Sequence, residues 1–450
     1  MKLSLNKIFS YKDEKINVKQ EIRAGITTFL AMSYIIAVNP LVLHSTGMPL
    51  APLVTTTCIS AIIATFLMAF YAKLPFALAS GMGLNTFFAY TVCREYGIPW
   101  QIALTAVFVE GVIFVILSLT NVRESVAHSI PHSLKISITA GIGLFIAFIG
   151  LQNANIVIAN KSNLVGLGNF ASPTVLIAFL GLIIITVLEK KKIKGSILIG
   201  IVTCTLVAWG YALIDPAGAK EYSISLPTGI IAFASPMPIV GKLDFSFIHS
   251  TKALMSFIGI TFTFLFVDFF GTVGSVLGLA TKAGLVEKDG KFPRIGKALL
   301  VDAVGTTSGA LLGTSAISTF IESSTGIAEG GKTGLTAFVV GCLFTISLFF
   351  SPLFVAIPSC ATAPALIYVG YLMLSIITAL DFTNITEALP AFITIILMPL
   401  SYSIGDGIIY GILSYVIINL ITNLSSKKHH RVNINPILLV LAVLFVIKLI

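Results

Sequence analysis

Charged residues are scarce in this chain. Of its 450 residues only 10% are Asp, Glu, Lys or Arg, whereas 56% are hydrophobic. A soluble domain of this size carries about 25% charged residues, so the scarcity excludes that class. The composition predicts an all-α polytopic membrane protein, whose natural surroundings are the lipid bilayer.

Cysteine and histidine are also rare, with five and six residues. The cysteines are scattered, odd in number and without CxxC spacing, which argues against a disulfide framework and against a metal site. No histidine lies inside an apolar run, and the sequence has neither an HExxH motif nor a phosphate-binding loop. An intramembrane enzyme needs a nucleophile–base pair or a metal set at depth. We therefore predict no enzyme, no catalytic residue, no metal and no cofactor, with H⁺ as the expected coupling ion.

A cleavable signal peptide is not apparent. The first 22 residues are polar and lysine-rich, and they lack the apolar core and small-residue cleavage site of such a peptide. We expect residues 1–22 to form a cytoplasmic tail and the first span to direct insertion itself.

Long apolar runs, by contrast, make up most of the sequence. Most approach the ~20 residues that a helix needs to cross ~30 Å of hydrocarbon. Fourteen segments are predicted in two sets of seven. They are 23–43, 51–71, 76–93, 100–119, 135–152, 172–190 and 195–213, then 253–281, 296–312, 313–326, 333–350, 363–379, 386–403 and 405–424.

The net charge of +9 has a topological explanation. If both ends are inside, most of the 28 basic residues fall in inner loops, as the positive-inside rule requires. We therefore expect cytoplasmic N- and C-terminal regions in a cell membrane (inner or plasma membrane) and no nucleic-acid partner. Residues 425–450 form a C-terminal tail with an apolar segment.

Two of the fourteen segments are too short to span as helices. Residues 313–326 would reach only about 21 Å at 1.5 Å per residue, and 76–93 is interrupted by Gly81 and Gly83. Non-helical backbone at membrane depth survives only beside protein or a water-filled cavity. Paired short segments of this kind indicate a transporter binding site. We predict that these two half-helices, the third and tenth segments, form the site.

Short matches relate the two halves in order. They are Thr28-Phe29-Leu30 with Thr263-Phe264-Leu265, Thr86-Phe87 with Thr319-Phe320, Leu104-Thr105-Ala106 with Leu335-Thr336-Ala337, and Ile130-Pro131 with Ile357-Pro358. Seven spans per repeat is an odd number, so the second repeat must enter from the opposite face. The sequence therefore predicts inverted repeats at 23–213 and 253–424. In this register Asp268 lies opposite Ser33, and Glu322 opposite Ala89.

Two carboxylates stand in apolar stretches without a Lys or Arg within seven residues: Asp268 and Glu322. A charge at mid-membrane depth costs at least ~2.5–3.5 kcal/mol, so such residues usually mark a substrate or proton path. The two acceptor oxygens of Glu322 match a ligand edge with two adjacent donors, as on an oxopurine. Asp268 lies in low dielectric and is predicted to contact substrate and exchange a proton. Purely structural roles remain the alternative, and Glu322 is a second candidate for proton coupling.

Neutral residues complete the predicted substrate site. Asn85 belongs to the short segment of the first half, and its amide can both donate and accept. Gly83 can permit close backbone approach to a ligand, although tight helix packing explains it equally well. Ser33 and Ser318 add hydroxyl groups from the two halves. For the further buried acids Glu110 and Asp302 we favour structural roles, because polar clustering is missing around them.

The sequence resembles the nucleobase permease superfamily (nucleobase:cation symporter 2), in particular its AzgA-like hypoxanthine/guanine/adenine branch. The resemblance covers nearly the whole chain and is carried by EIRAGITTFLAMSYIIAVNP, ASGMGLNTFFAYTV, TAVFVEGVIF, IPHSLKISITAGIGLFIAFIGLQNA, FVDFFGTVGS, GTSAISTFIESSTGIAEGGKTGL and LPAFITIILMPLSYSIGDGI. It implies a core domain (23–119 plus 253–350) and a gate domain (135–213 plus 363–424), with substrate held between the short helices.

The same resemblance implies proton-coupled purine uptake, with Asp268, Glu322 and Asn85 matching the binding acids and amide of the family. One departure is Gly271, where the family often has a second acid. We expect a symporter for guanine and hypoxanthine, with adenine as a further candidate, working by alternating access. The alternatives are a xanthine/uracil-type permease and an anion transporter of the same fold. A homodimer is a candidate assembly.

Overall fold

The computed structural model describes residues 2–10, 16–119, 131–160, 162, 164–286, 292–425 and 434–449. Within these ranges ten helices are long and apolar enough to cross a membrane. They are Val18–His44, Leu50–Ala72, Trp100–Ser118, His132–Asn153, Pro173–Lys190, Ser196–Ile214, Thr251–Lys282, Ile295–Leu312, Ser359–Ala379 and Ile404–Leu424. Two shorter apolar helices are Gly334–Ser347 and Ile385–Leu400.

The first half of the chain follows a regular order of elements. The bounds are α1 Lys2–Phe9, α2 Val18–Met32, α3 Ile35–His44, α4 Leu50–Leu67, β1 Leu78–Ser80, α5 Met82–Thr86, α6 Trp100–Ser118, α7 His132–Asn153, β2 Val157–Asn160, β3 Leu164–Leu167, α8 Pro173–Lys190, α9 Ser196–Ile214 and α10 Pro216–Glu221. Single π-helical stretches, Met68–Ala72 and Phe87–Glu95, extend α4 and α5.

The second half repeats the order seen from α2 to α6. Its elements are α11 Thr251–Lys282, α12 Ile295–Leu312, β4 Ile317–Thr319, α13 Ser323–Ala328, α14 Gly334–Ser347, α15 Ser351–Val355, α16 Ser359–Leu374, α17 Ile385–Leu400, α18 Ile404–Ser425 and α19 Pro436–Leu449. Short 3₁₀ turns lie at Ser246–His249 and Ser375–Ala379. Long helices, then a short strand and a short helix, therefore occur in both halves.

Strands β1 and β4 join the two halves. They pair antiparallel, with Ala79 opposite Ser318. The ladder is extended by Gly81 N–H donating to the carbonyl of Ala316 at 2.9 Å and Phe320 N–H donating to that of Ala77 at 3.0 Å. Each strand therefore satisfies the backbone groups of the other, as non-helical backbone inside a membrane protein requires.

The strand pair corrects two expectations. The chain is mostly helical, but β1, β4 and the hairpin β2–β3 are short strands, so it is not all-α in detail. The pairing of Thr86-Phe87 with Thr319-Phe320 is also wrong, because Thr319 ends a strand whereas Thr86 ends a helix. Matching β1 with β4 puts Glu322 level with Gly83, each three residues beyond its strand, rather than level with Ala89.

The chain divides into two compact units, Met1–Leu119 with Gly150–Leu366, and Thr120–Ile149 with Ile367–Ile450. In the first unit, Phe76, Leu78 and Ile317 are fully buried in one apolar cluster with residues of α4, α11 and α12. In the second unit, α17 packs on α18, where Gly407 lies against Met398. The predicted core and gate boundaries stay a prediction.

Some sequence-based expectations fall outside the described residues. They concern Ile130 of the match between Ile130-Pro131 and Ile357-Pro358, residues 1 and 11–15 of the predicted N-terminal tail, and residues 426–433 and 450 of the predicted C-terminal tail. The apolar part of the predicted C-terminal tail forms helix α19.

Candidate functional site

Glu322 lies between β4 and α13, where the chain leaves the strand pair. Its side chain is half-buried, and its Oε1 accepts a hydrogen bond of 2.7 Å from the hydroxyl of Tyr34. Tyr34 occupies the turn between α2 and α3 and is only 3% exposed. The first repeat therefore contributes a phenol to this carboxylate, which the sequence analysis did not anticipate.

An aromatic wall lies beside this pair. The ring of Phe320 is 6% exposed, and its centroid is 6.3 Å from that of Tyr34. Flat apolar rings next to a carboxylate suit a planar heterocycle, which stacks on a ring and donates to an acid. Sequence alone missed both residues, because aromatic side chains in an apolar run read as core. The signal for Tyr34 was its position beside Ser33, opposite Asp268 in the repeat register.

Ser33 does not face this carboxylate in the structure. Its hydroxyl is buried and donates to the carbonyl of Leu30 at 3.3 Å, within its own helix. The adjacent residue Tyr34 reaches across instead. The bond to Leu30 is the hydrogen bond that the structure describes for the Ser33 hydroxyl. The substrate role of Ser33 stays a prediction.

Gly81, Gly83 and Ser318 lie where the strand pair opens into the two short helices. Ser318 is half-buried, and its Oγ would be 2.5 Å from a Cβ added at Gly81. A side chain at position 81 would therefore require the Ser318 hydroxyl to rotate away, because the two segments cross closely here. Gly83 is half-buried, and its carbonyl accepts a hydrogen bond of 3.0 Å from the hydroxyl of Thr86.

Asn85 points into the protein scaffold. It is fully buried, and its Nδ2 donates to Oδ1 of Asn39 on α3 at 2.6 Å. Asn39 in turn donates to the hydroxyls of Thr57 at 2.7 Å and Thr314 at 3.1 Å. Thr314 is 2.9 Å from the hydroxyl of Ser80. The structure thus places the amide nitrogen of Asn85 in a buried polar network that reaches Ser80 on β1.

Asp268 belongs to a second polar group around strand β4. It is 1% exposed, and its Oδ1 accepts from the hydroxyl of Thr272 at 3.1 Å. The same hydroxyl lies 3.0 Å from Oδ2 of Asp302 on α12. Oδ1 of Asp302 accepts from both the backbone N–H and the hydroxyl of Thr319, at 3.1 and 3.3 Å. Asp302 therefore binds strand β4, which precedes Glu322, to helix α12.

The hydroxyl of Thr272 lies between the carboxyl groups of Asp268 and Asp302. A threonine hydroxyl has one hydrogen, so Thr272 can donate to only one of the two carboxyl groups at a time. The other contact is a favourable hydrogen bond only if that carboxyl group carries a proton itself. The Thr272 hydroxyl thus links Asp268 to Asp302, and Asp302 contacts strand β4.

Two further expectations concern the same helices. Glu110 on α6 is fully buried, and the adjacent Gly111 packs against Thr307 of α12. Gly271, the departure noted for the family resemblance, is exposed, and an added Cβ would meet no atom within 4 Å.

A cluster of charged residues, here called the clasp, lies at the N-terminal end of α2 and is formed by Glu21, Arg23, Lys194 and Glu329. The buried carboxylate of Glu21 accepts hydrogen bonds from the backbone N–H groups of Lys332 at 3.1 Å and Thr333 at 3.4 Å. Glu329 forms ion pairs with Arg23 at 3.0 Å and Lys194 at 2.5 Å. The hydrogen bond and charge of Lys194 hold the pKa of Glu329 below its usual range. The pattern of the sequence does not indicate these contacts, which join residues more than 100 positions apart.

Comparisons with known proteins show the family of this chain. The profile of a family described as the Permease family, Xan_ur_permease, matches residues 19–410. The guanine/hypoxanthine permease PbuO of Bacillus subtilis is 42% identical over 98% of this chain and 99% of its own. The adenine permease AdeP of Escherichia coli is 38% identical over 99% and 96%. A putative permease of Methanocaldococcus jannaschii is 42% identical over 99% and 98%.

Solved structures share the fold at low identity. The transmembrane domain of the cyanobacterial bicarbonate transporter BicA superposes with a TM-score of 0.65 at 15% identity, covering 88% of this chain and 97% of its own. The murine anion transporter Slc26a9 gives 0.66 at 10% identity, covering 94% and 72%. These likenesses concern the fold alone.

Proposed function

Because the chain belongs to the permease family, and is accordingly a multi-pass membrane transporter rather than an enzyme, we propose that it imports purine nucleobases by proton symport. Guanine and hypoxanthine are the substrates proposed first, and adenine is the next candidate. Relatives that match almost the whole chain are named guanine/hypoxanthine and adenine permeases, which supports a purine base as the cargo.

The observation that carries the proposal is the position of Glu322. It follows the strand pair, beside the rings of Tyr34 and Phe320. A carboxylate presents two acceptor oxygens, and guanine presents two adjacent donors, N1–H and N2–H, so that both hydrogen bonds form together. The aromatic rings would cover the face of the base.

The rival substrates fit less well. An anion transporter of this fold is expected to hold a basic residue between the two short segments, whereas residues 76–93 and 313–326 contain none. The first cation beyond them, Arg94, lies over the ring of Tyr90 at 5.6 Å. Xanthine and uracil also present N–H donors, so a xanthine/uracil-type permease stays the second candidate.

The transport cycle that we propose uses fourteen segments. The ten long helices, the two shorter apolar helices and the two strand–helix segments make up this number. In this proposal, the core and gate domains alternate access to the substrate, the N- and C-terminal regions are cytoplasmic, and the protein works in the cell membrane as a monomer or homodimer. Inverted repeats with discontinuous segments near the midplane support such a cycle.

Proton coupling is assigned to Asp268, with Glu322 next. The contact that supports this is the Thr272 hydroxyl, which lies between Asp268 and Asp302 and can serve only one of them as a donor. Sodium can also bind carboxylate oxygens, so the coupling ion must be tested directly. Uptake should rise at acidic external pH and vanish with a protonophore; sodium-dependent uptake that persists with the proton gradient collapsed would refute proton coupling.

The decisive experiment is hypoxanthine uptake into proteoliposomes, competed with a nucleobase panel, for the native chain and Glu322→Gln. The amide replaces an acceptor with a donor at a buried edge, which costs about 1–3 kcal/mol, or roughly a 5- to 150-fold loss. Glu221→Gln, at an exposed helix end, is the matched control. Guanine uptake near the native level in Glu322→Gln, at equal protein amounts, contradicts the assignment.

A further inference from the structure

The contact between Tyr34 and Glu322 joins residues 288 positions apart. The ring of Tyr34 is almost fully buried, and Phe320 packs beside it, so the hydroxyl is held in place at the carboxylate. Tyr34 is therefore fixed by its surroundings in a way that a flexible surface donor is not. The effect of the Tyr34 hydroxyl on Glu322 follows from the chemistry of this hydrogen bond.

A donated hydrogen bond to a carboxylate oxygen stabilises the ionised form of the acid. Among the described residues, both salt bridges involve Glu329, so no cation pairs with Glu322. The Tyr34 hydroxyl is the side-chain donor that the described residues give to this acid. The Tyr34 hydroxyl is therefore the described side chain that favours the ionised form of Glu322.

The described contacts of Glu21, Arg23 and Asp268, on the neighbouring elements, are with residues other than Glu322. Helix α13 packs on α2 and α11. On α2, Glu21 accepts from the Lys332–Thr333 backbone and Arg23 pairs with Glu329. On α11, Asp268 accepts from Thr272. Of these groups, the described contacts connect only Tyr34 directly with the Glu322 side chain.

The protonation state of Glu322 decides which purine edge it can pair with. Ionised, it offers two acceptors, which match the N1–H and N2–H donors of guanine. Protonated, it offers one donor and one acceptor, which match the N1 acceptor and N6–H donor of adenine. A site that leaves the complementary groups of a substrate unpaired rejects that substrate strongly.

We propose that Tyr34 is a specificity-determining residue, whose hydroxyl keeps Glu322 in the two-acceptor form and thereby selects guanine over adenine. The inference rests on the proposed purine site at Glu322. That curated relatives of similar identity include both adenine and guanine/hypoxanthine permeases shows that this family contains both preferences. In this proposal Tyr34 does not touch the substrate. It acts by favouring one protonation state of Glu322, and so it is a positioning residue.

The test is displacement of radiolabelled hypoxanthine from the purified full chain by guanine and by adenine, between pH 5 and 8. Tyr34→Phe keeps the ring packed on Phe320 and removes only the hydroxyl. We expect the guanine-to-adenine affinity ratio to fall about tenfold, as for one hydrogen bond to a charged group. The pH below which guanine binding is lost should also rise. Tyr371→Phe, on an exposed tyrosine, is the control.

The outcomes separate this inference from the proposed function. In a Glu322→Gln background, adding Tyr34→Phe should leave the ratio unchanged, because the titrating group is gone. A native ratio and pH profile in Tyr34→Phe, while Glu322→Gln still loses guanine, overturns the role of Tyr34 alone. Equal loss of both purines also overturns it, since that indicates a merely structural role. If the native chain binds neither purine, the proposed function itself is wrong.

Discussion

The backbone nitrogen of Thr319 donates to Oδ1 of Asp302 at 3.1 Å, and this bond holds strand β4 against helix α12. The Thr319 hydroxyl lies 3.3 Å from the same oxygen. Because Thr319 also pairs with Leu78, a single buried carboxyl group supports the strand pair from the side. The conformation of the chain that leads to Glu322 therefore depends on Asp302.

Replacing Asp302 should loosen the strand pair. Asp302→Ala leaves the Thr319 N–H without its acceptor, which costs about 1–3 kcal/mol for a buried donor. Asp302→Asn should cost less, because its amide oxygen can still accept. Thermal unfolding of the purified protein should rank native, Asn and Ala in falling order of stability. An Ala variant as stable as the native protein would show that the carboxyl group does not support the strand.

Replacing Asp268 should separate substrate binding from proton-driven accumulation. Asp268→Asn keeps the shape and an acceptor for Thr272, but the amide cannot titrate. We expect purine exchange across the membrane to persist while accumulation against a gradient is lost. Both are measured in proteoliposomes, by counterflow and by uptake under an imposed pH gradient. If Asp268→Asn still accumulates hypoxanthine with native pH dependence, the coupling site lies elsewhere, with Glu322, Glu110 and Asp302 the next to test.

Replacing Asn85 should affect stability more than substrate choice. Its amide donates to Asn39 in a fully buried network, so Asn85→Ala leaves the Asn39 oxygen unsatisfied at about 1–3 kcal/mol. The melting temperature of the purified variant should fall, whereas the affinity ratio of guanine to adenine in folded protein should stay native. A changed ratio at native stability would instead favour direct contact between Asn85 and the base.

The clasp around Glu329 predicts a pH dependence of stability. Lys194 and Arg23 lower the pKa of Glu329, so its ion pairs stabilise the folded protein at neutral pH, and this contribution is lost as acidification protonates the group. The difference in melting temperature between native protein and Glu329→Gln should therefore be present at pH 7 and shrink below pH 4. Lys192→Ala, in the same loop as Lys194, should leave the native pH profile intact. A constant difference at all pH values would contradict this linkage.

Sequence reasoning located the acids more reliably than their partners. Asp268 and Glu322 stood out because an isolated charge in an apolar run is costly, and the structure places them on either side of strand β4 along the chain. The direction of a side chain is not visible in such a pattern. Asn85 was in the expected segment yet points to Asn39. The sequence pattern indicates Ser33, whereas the adjacent residue Tyr34 donates the hydrogen bond to Glu322.

The role of Asp302 and the repeat register needed the structure for a different reason. Both depend on the strand pair, which forms between segments far apart in the chain, and three-residue strands have too little pattern to recognise. The match of Thr86-Phe87 with Thr319-Phe320 does not join equivalent positions. The family resemblance, in contrast, was confirmed along the chain by the profile match at residues 19–410.

The pairing of Ala79 with Ser318 has a consequence for how the protein is made. About 240 residues separate the two partners. A ribosome that adds ~5–20 residues per second needs roughly 10 to 50 s to synthesise this intervening stretch. During that interval the backbone of Leu78–Ser80 has been made and its strand partner has not. A nascent chain that stops before Ile317 thus lacks both the strand partner of β1 and Glu322. The strand pair, and with it the proposed substrate site, is completed only late in synthesis.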